Sequence, residues 1–185
     1  MPGVHPPSRA AASVGTVIDD ELLLTTVHDT GVRRLQHAYA DVVNRRAWPE
    51  LGQLFLEDAV TTIDTRGGET LTFTGGGAVG EFIGTSVARF SFFEFVILNA
   101  HIAFPDGPGA GTAVCRLYLC EHRQDAASGR WTNAFGLYHD RHALVDGRWW
   151  FAARSYHSLA RHAPDLDVFP FPAPAPFEVP GAGWR

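Results

Sequence analysis

Lysine is absent from this chain of 185 residues, so all 15 strongly basic side chains are arginines. Without lysine, the protein cannot use a lysine imine with a carbonyl substrate or with pyridoxal phosphate, and it has no Walker-type phosphate loop. GC-rich coding commonly gives chains that use arginine in place of lysine and that are rich in alanine, glycine and proline. Whatever its origin, the absence removes these reaction classes.

Long apolar runs are also missing. The longest, at residues 92–98, is interrupted by Glu94 and is far shorter than the roughly 18 residues that a membrane span needs. The first fifteen residues lack the basic start and apolar core of a secretory signal. We therefore expect a cytoplasmic protein that does not bind a membrane.

Positive charge and cysteine are both scarce. The net charge is −5 and the arginines are scattered, which argues against a nucleic-acid partner, because such proteins carry a basic stripe. The two cysteines, Cys115 and Cys120, lie five apart on one predicted strand and therefore on opposite faces. A disulfide between them is not expected.

The residue pattern predicts one domain between two irregular ends, in keeping with a typical domain of about 150 residues. Residues 1–25 have no clear period and are predicted to form a flexible leader. Residues 163–185 are rich in proline, which predicts an extended tail. Residues 26–162 form the expected folded domain.

Two periodicities divide this domain. Apolar spacings of three and four predict helices over 26–44 and 79–87, with a short helix beginning at Trp48-Pro49 between them. A period of two predicts short strands over 59–64 and 69–74, then four long strands over 92–104, 112–124, 131–145 and 148–159. Long hairpin strands twist and coil, so the expected fold is an α+β cone: a curved antiparallel sheet covered by helices around an internal pocket.

Three stretches resemble the SnoaL-like branch of the NTF2-like superfamily. They are residues 39–48 with 54–60, the glycine-rich helix start at 74–83, and residues 138–151, which read Tyr-x-Asp-x5-Asp-Gly-x-Trp. This branch includes scytalone dehydratase, bile-acid dehydratase, polyketide cyclases and relatives of ketosteroid isomerase. The resemblance implies the same conical fold, which hosts both enzymes and noncatalytic subunits.

The resemblance also implies candidate catalytic residues. Tyr39 matches the helix tyrosine that donates a hydrogen bond to a substrate oxygen in bile-acid dehydratase and ketosteroid isomerase. Glu121 matches the aspartate of bile-acid dehydratase and the histidine of scytalone dehydratase on this strand. If the face it shares with Leu117 and Leu119 is inward, burial would raise its pKa toward neutrality. The alternatives are a core tyrosine and an edge glutamate paired with arginine.

Tyr138 and Asp140 lie two apart and so face the same side of one strand. By resemblance, Asp140 matches the oxyanion-hole aspartic acid of ketosteroid isomerase. The alternative is a structural carboxylate bonded to Arg148, Arg154 or a backbone amide. By the same resemblance, His101 lies in the region where scytalone-type dehydratases use a histidine as acid or base, and a structural histidine is its alternative.

A second set of residues is expected to bind the substrate. Asn44 occupies the position of an aspartate in bile-acid dehydratase, with a helix-ending asparagine as its alternative, and Phe95 occupies the position of a histidine in many relatives. Asp64 lies one residue out of register with the base of ketosteroid isomerase, so a bulge would be needed to align them. The remaining members are Asn99, which shares a predicted face with His101, and the aromatic residues Phe82, Phe135 and Phe151.

These residues predict a cofactor-free dehydratase, isomerase or cyclase acting on a hydrophobic oxygenated small molecule such as a polyketide, terpenoid or steroid-like compound. No histidine spacing typical of a metal site occurs, so no metal is expected. The alternative function is a noncatalytic ligand-binding protein or a scaffold resembling the small subunit of ring-hydroxylating dioxygenases. In either case we expect a homo-oligomer, most simply a dimer.

Overall fold

A computed structural model describes residues 19–162 and the backbone of residues 166–168. The predicted leader up to residue 18, and the predicted tail apart from the short strand at 166–168, lie outside the described residues. Within these described residues, no helix combines the length and the apolar character needed to span a membrane.

Helix α1 runs over Asp20–Asn44, and the Asp19 carboxylate caps it by accepting a hydrogen bond from the Glu21 backbone at 3.1 Å. Its buried face repeats every three or four residues and includes Val32, Leu35 and Tyr39. The helix begins six residues before the predicted start at residue 26. The early turns expose leucine side chains to solvent, so they carry no apolar period that could reveal them.

The second predicted helix is a short 3₁₀ helix at Trp48–Gln53, and the third is α2 at Gly75–Val87. The glycines at the start of α2 allow close packing on the 3₁₀ helix. A Cβ on Gly76 would lie 2.3 Å from the carbonyl oxygen of Leu51, and one on Gly80 would lie 2.7 Å from that of Trp48. Any larger side chain at either position would push α2 away.

The described residues form seven strands: β1 Phe55–Asp64, β2 Leu71–Thr74, β3 Phe90–Ala103, β4 Thr112–Asp125, β5 Trp131–Val145, β6 Arg148–His162 and β7 Leu166–Val168. They make one curved, unclosed sheet in the order β2-β1-β6-β5-β4-β3, with β7 paired to β6. The expected α+β architecture is confirmed. A second short 3₁₀ helix, Pro108–Ala110, connects β3 to β4.

Strand pairing differs from a simple series of hairpins at one place. β1 pairs in parallel with β6, its distant neighbour in the chain, and this pairing had no local signal in the sequence. The β5–β6 hairpin is local: it closes through Asp146 and Gly147, whose positive φ angles of 50° and 76° suit a tight turn. Helices α1 and α2 lie against the sheet and leave a cavity on its concave face.

Candidate active site

The cavity has a volume of about 590 Å³ and is lined from both helices and from five strands. Its apolar lining includes Val43, Val79, Phe82, Phe93 and Phe95. The polar lining is concentrated in two places, a tyrosine pair beside Arg154 and a carboxylate-arginine group around Glu121. A cavity of this size and lining suits a small molecule with an apolar body.

A fully buried ion pair supports the tyrosine end of the cavity. Arg154 Nε donates to Asp140 Oδ1 at 2.7 Å, and its Nη2 donates to Oδ2 at 2.8 Å. Gln36 on α1 completes the network, since its Nε2 donates to Asp140 Oδ2 at 2.7 Å and its Oε1 accepts from Arg154 Nη2 at 3.0 Å. The side chains of Arg154 and Asp140 are 1% and 0% exposed, so the guanidinium is held rigidly.

Two tyrosines stack on that guanidinium. The Arg154 Cζ atom lies 4.2 Å from the ring centroid of Tyr39 and 4.0 Å from that of Tyr138. The two hydroxyl oxygens are 3.4 Å apart. Among the described residues, Nη1 of Arg154 has no hydrogen-bond partner. The two hydroxyls, one of which donates to the other, and the charge of the guanidinium therefore lie at a single place in the cavity wall.

Burial keeps both tyrosine hydroxyls protonated. It raises the pKa of Tyr39, against the lowering effect of Arg154 and of the hydrogen bond with Tyr138. It raises the pKa of Tyr138 further, and the neighbouring Tyr39 adds to that rise. Protonated hydroxyls beside a cation are hydrogen-bond donors suited to an oxygen atom that gains negative charge.

Glu121 on β4 lines the same cavity, and its side chain is 20% exposed. Burial raises the pKa of its carboxyl, while the Arg123 and Arg161 guanidinium groups oppose the rise. Arg123 Nη1 lies 3.5 Å from Glu121 Oε2, which is long for a strong hydrogen bond. A carboxyl in this setting is placed to accept a proton from a bound molecule and to return it.

Comparisons with known proteins agree with this geometry. A family model described as a SnoaL-like domain matches residues 27–155. The chain belongs to the SnoaL-like domain family. No curated protein sequence matches it.

Similar solved structures share the NTF2-like fold at low sequence identity. A candidate scytalone dehydratase from Novosphingobium aromaticivorans is 19% identical, with a TM-score of 0.66 over 78% of this chain and 93% of that one. Hexachlorocyclohexane dehydrochlorinase LinA-type3 from Novosphingobium barchaimii is 16% identical, with a TM-score of 0.64 over 80% and 99%. A candidate aromatic ring hydroxylase from Novosphingobium aromaticivorans is 20% identical, with a TM-score of 0.61 over 78% and 94%.

In this SnoaL-like structure, some of the predicted site residues line the cavity and others do not. Tyr39, Tyr138, Glu121, Phe82 and Phe95 all line the cavity. The other predicted residues are absent from the lining among the described residues: Asn44, Asp64, Asn99, His101, Phe135, Asp140 and Phe151.

Asp140 lies behind the cavity wall, where the alternative interpretation, pairing with Arg154, is observed. Both of its oxygens accept N–H groups, so it orients Arg154 instead of donating to a substrate. Phe151 is also behind the wall, stacked on Phe55 with ring centroids 4.7 Å apart. Asn44 is tied to the backbone of Phe95, donating to its carbonyl at 3.0 Å and accepting from its N–H at 2.7 Å.

The predicted cavity positions of Asn99 and His101 are wrong because of a β-bulge. The register of β3 on β4 shifts between Ile97 and Asn99, which moves both residues to the outer face. They pair there with Tyr118 and Arg116 of β4.

Two further predicted residues lie outside the cavity because side chains alternate between the two faces of a strand. Ile63 occupies the cavity side of β1, so the adjacent Asp64 faces outward and contacts Arg66 at 3.3 Å. Phe135 is three residues from Tyr138 on β5 and therefore lies on the outer face, where it is 38% exposed. Neither residue contributes to the cavity wall.

The sequence did not point to Gln36 or Tyr156 as parts of the site. It also gave no sign that Arg154 places a cation beside the tyrosines. Gln36 is 1% exposed within the buried stripe of α1, so its amide needs partners, and this was an available signal. Tyr156 lies two residues from Arg154 on β6 and therefore on the same face of the strand. However, both faces of that strand contain polar residues. The face of β6 that points inward was therefore not evident from its sequence.

One group of possible metal ligands occurs among the described residues: donor atoms of Cys115, Asp140 and His142 lie within 4.8 Å of one another. Both oxygens of Asp140 are engaged by Arg154 and Gln36. The adjacent guanidinium also repels a cation, and burial raises the pKa of the Cys115 thiol, which disfavours the thiolate that metals bind. These contacts favour a hydrogen-bond network over a metal site.

Proposed function

We propose that this SnoaL-like protein is an enzyme that acts by acid–base chemistry, without a cofactor, on a hydrophobic oxygenated small molecule. Dehydration, isomerisation and cyclisation of such compounds share one demanding step, the removal of a proton next to a carbonyl group. The observation that carries the proposal is the convergence of Tyr39, Tyr138 and the Arg154 guanidinium in a cavity that also contains Glu121.

The tyrosine end binds the carbonyl oxygen. As a proton leaves the neighbouring carbon, negative charge develops on this oxygen. The tyrosine hydroxyl pair donates a hydrogen bond to it, and the positive charge of the guanidinium stabilises it through the tyrosines. Because Asp140 and Gln36 already hold Arg154, little reorganisation is needed during the reaction. Removal of one such donor from an active site typically slows turnover by about 10² to 10³.

Glu121 accepts the proton and returns it to the leaving group or to another carbon. Burial raises the pKa of its carboxyl, which makes the carboxylate a stronger base than an exposed glutamate and favours the first proton transfer. Aromatic side chains, including Phe82, Phe93 and Phe95, exclude water and pack against the apolar body of the substrate. Fused-ring polyketides, terpenoids and steroid-like compounds have the required combination of an apolar body and ring oxygens.

The test measures deuterium incorporation from D₂O into a panel of fused-ring β-hydroxy ketones and β,γ-unsaturated ketones, followed by mass spectrometry. This readout detects proton removal whichever overall reaction follows. We expect Tyr39→Phe and Glu121→Gln each to slow exchange at least tenfold. Tyr118→Phe and Glu94→Gln are matched controls, because neither side chain lines the cavity, and they should not alter the rate. Unchanged rates in both site variants would refute the assignment.

A noncatalytic ligand-binding or scaffold role is the second candidate. It is favoured by Asn44 and Phe95, which occupy family acid–base positions with an amide tied to backbone and with a phenyl ring. Under this alternative the wild-type protein binds members of the panel but exchanges no deuterium above the uncatalysed rate. Co-purification with a larger metal-containing subunit would support the scaffold form.

A further inference from the structure

Arginines are concentrated on the cavity wall. Among the residues that the structure describes, five arginines line it, against two carboxylates, Glu121 and Asp125; the arginines are Arg89, Arg123, Arg130, Arg154 and Arg161. If Asp140 is counted because it pairs with Arg154 from behind, five positive charges face three negative ones. The chain as a whole carries a net charge of −5, so the excess of positive charge belongs to the cavity and not to the protein surface in general.

Most of these arginines lie away from the tyrosine pair. Glu121 and Arg161 flank Ala134 in adjacent strands, and Ala134 is four residues from Tyr138 along β5. Arg123 is opposite Thr132, two residues further along. At about 3.3 Å per residue, the two groups of polar residues are separated by about 13 to 20 Å of strand. The cavity therefore has a tyrosine end and an arginine end. Glu121 lies between them: its carboxylate contacts Arg123 at 3.5 Å, and its charge adds to burial in raising the pKa of Tyr138 and of Tyr156.

Contacts with neighbouring residues orient the guanidinium groups at the arginine end. Those of Arg89 and Arg123 lie 4.8 and 5.3 Å from the ring centroid of Phe90. Arg161 donates from Nε to Ser158 Oγ at 3.2 Å and from Nη2 to the carbonyl oxygen of Thr65. These contacts place the cations before any ligand arrives, which lowers the entropy lost on binding.

Arg123 has unused donor capacity. Its side chain is only 16% exposed, and within the described ranges its buried Nε has no hydrogen-bond partner. The contact with Glu121 at 3.5 Å is too long to satisfy the guanidinium. A buried N–H of a cation without a partner is costly, and a planar guanidinium fits an oxyanion with two or three oxygens.

We propose that the ligand of this cavity is anionic, with a carboxylate or phosphate group held by Arg123 and Arg161 at the arginine end. This inference rests on the proposed function, because the oxygenated part of the same ligand binds at the tyrosine end. The substrate class narrows to an apolar ring system with a carbonyl oxygen at one end and an anion at the other. The exposed Arg89 and Arg130 assist by attracting the anion toward the cavity.

The test compares probes of nearly equal shape and different charge by isothermal titration calorimetry at low ionic strength. The carboxylate arm uses 2-naphthoate against 2-naphthamide, and the phosphate arm uses 2-naphthyl phosphate against 2-naphthol. We expect at least one anion to bind at least tenfold tighter than its neutral partner, and the arm with the larger ratio identifies the group. Equal affinities in both arms, or no detectable binding of either anion, would overturn the proposal.

Variants locate the anion. Arg123→Gln and Arg161→Gln should each weaken binding of the preferred anion about tenfold while leaving its neutral partner unchanged, and retained neutral binding shows that the variant is folded. Arg45→Gln, which makes the same charge change in an exposed contact with Asp41 and Glu50, should alter neither affinity. An equal effect of Arg45→Gln would mean that only the overall charge matters, and would refute the assignment.

Glu121→Gln gives a result in the opposite direction. It removes a negative charge that competes for Arg123 and Arg161, so anion binding should tighten, whereas damage to the cavity would weaken it. Because these are binding measurements without turnover, they can fail while Tyr39→Phe still slows deuterium exchange. They can also succeed in a protein that catalyses nothing, so the two proposals are separable.

Discussion

Replacement of Asp140 by asparagine tests whether the buried ion pair serves the site or the fold. The change keeps the shape of the side chain but leaves the guanidinium of Arg154, 1% exposed, without its counter-charge. Two short bonds, at 2.7 and 2.8 Å, lose their ionic character. Breaking a buried pair by removing one partner typically costs about 3–5 kcal/mol of the free energy of unfolding.

Urea unfolding followed by circular dichroism measures this loss. With a denaturant slope of about 2 kcal/mol per molar urea, the midpoint should fall by about 1.5–2.5 M. Asp29→Asn is the matched control, since its bond to Arg33 has a similar length, 2.8 Å, but is exposed. That exposed pair should contribute about 0.3–0.5 kcal/mol. A loss below about 1 kcal/mol for Asp140→Asn would refute the reasoning, because it would mean that Arg154 is not desolvated.

A double variant separates stability from function. Asp140→Leu combined with Arg154→Met replaces the ion pair by apolar side chains, and such replacements are often neutral or stabilising. We expect the double variant to recover most of the stability lost by Asp140→Asn but to exchange deuterium at least tenfold more slowly than the wild type, because the cation beside the tyrosines is gone. Recovery of both stability and activity would show that Arg154 is dispensable for the chemistry.

Three further predictions concern pH, packing and assembly. Burial lowers the pKa of His142 to about 4, so the unfolded chain binds a proton below about pH 6.5 that the folded protein does not. The free energy of unfolding should therefore fall by up to about 3 kcal/mol as the pH is lowered from about 6.5 to 4. Urea titrations of His142→Leu should show a free energy of unfolding that changes less with pH than that of the wild type. Gly136→Ala should lower both the melting temperature and ligand affinity, because its Cβ would lie 2.3 Å from the Tyr156 ring, whereas Gly77→Ala, with open space around it, should not. We also propose a homodimer formed through the exposed outer face of the sheet. Light scattering should show twice the mass of the chain. Trp131 is 56% exposed, and Trp131→Arg should favour the monomer.

Two of the predicted residues that line the cavity lie where the sequence has a regular period. Tyr39 lies on the apolar stripe of α1, where buried residues recur every three or four positions. Glu121 follows Leu117 and Leu119 at spacings of two on β4, and both leucines are buried. The period on α1 indicates the inward face directly, whereas on β4 it showed only that the three side chains share a face.

Three of the predictions that failed, those for Asn99, His101 and Asp140, concern residues beside bulges. The register shift after Ile97 reverses the faces of Asn99 and His101. In the β5–β6 hairpin, Val145 pairs with Arg148, and counting back from that pair would place Asp140 opposite Ala153. A second shift, between Arg141 and His142, moves its partner to Arg154 and creates the ion pair that supports the tyrosines.

The sequence by itself determined the fold class, the SnoaL-like resemblance and the inward position of Tyr39, because periodicity is a local property of the chain. Only the tertiary structure decided that Arg154 lies beside the tyrosines and that Arg123 and Arg161 share a cavity wall with Glu121. A bulge adds one residue to a strand, and no distinctive residue type marks its position in the sequence. The charged residues that line a cavity come from elements that are distant in the chain. The missing lysines excluded one kind of chemistry, but the charge of the cavity emerged only when the arginines were brought together.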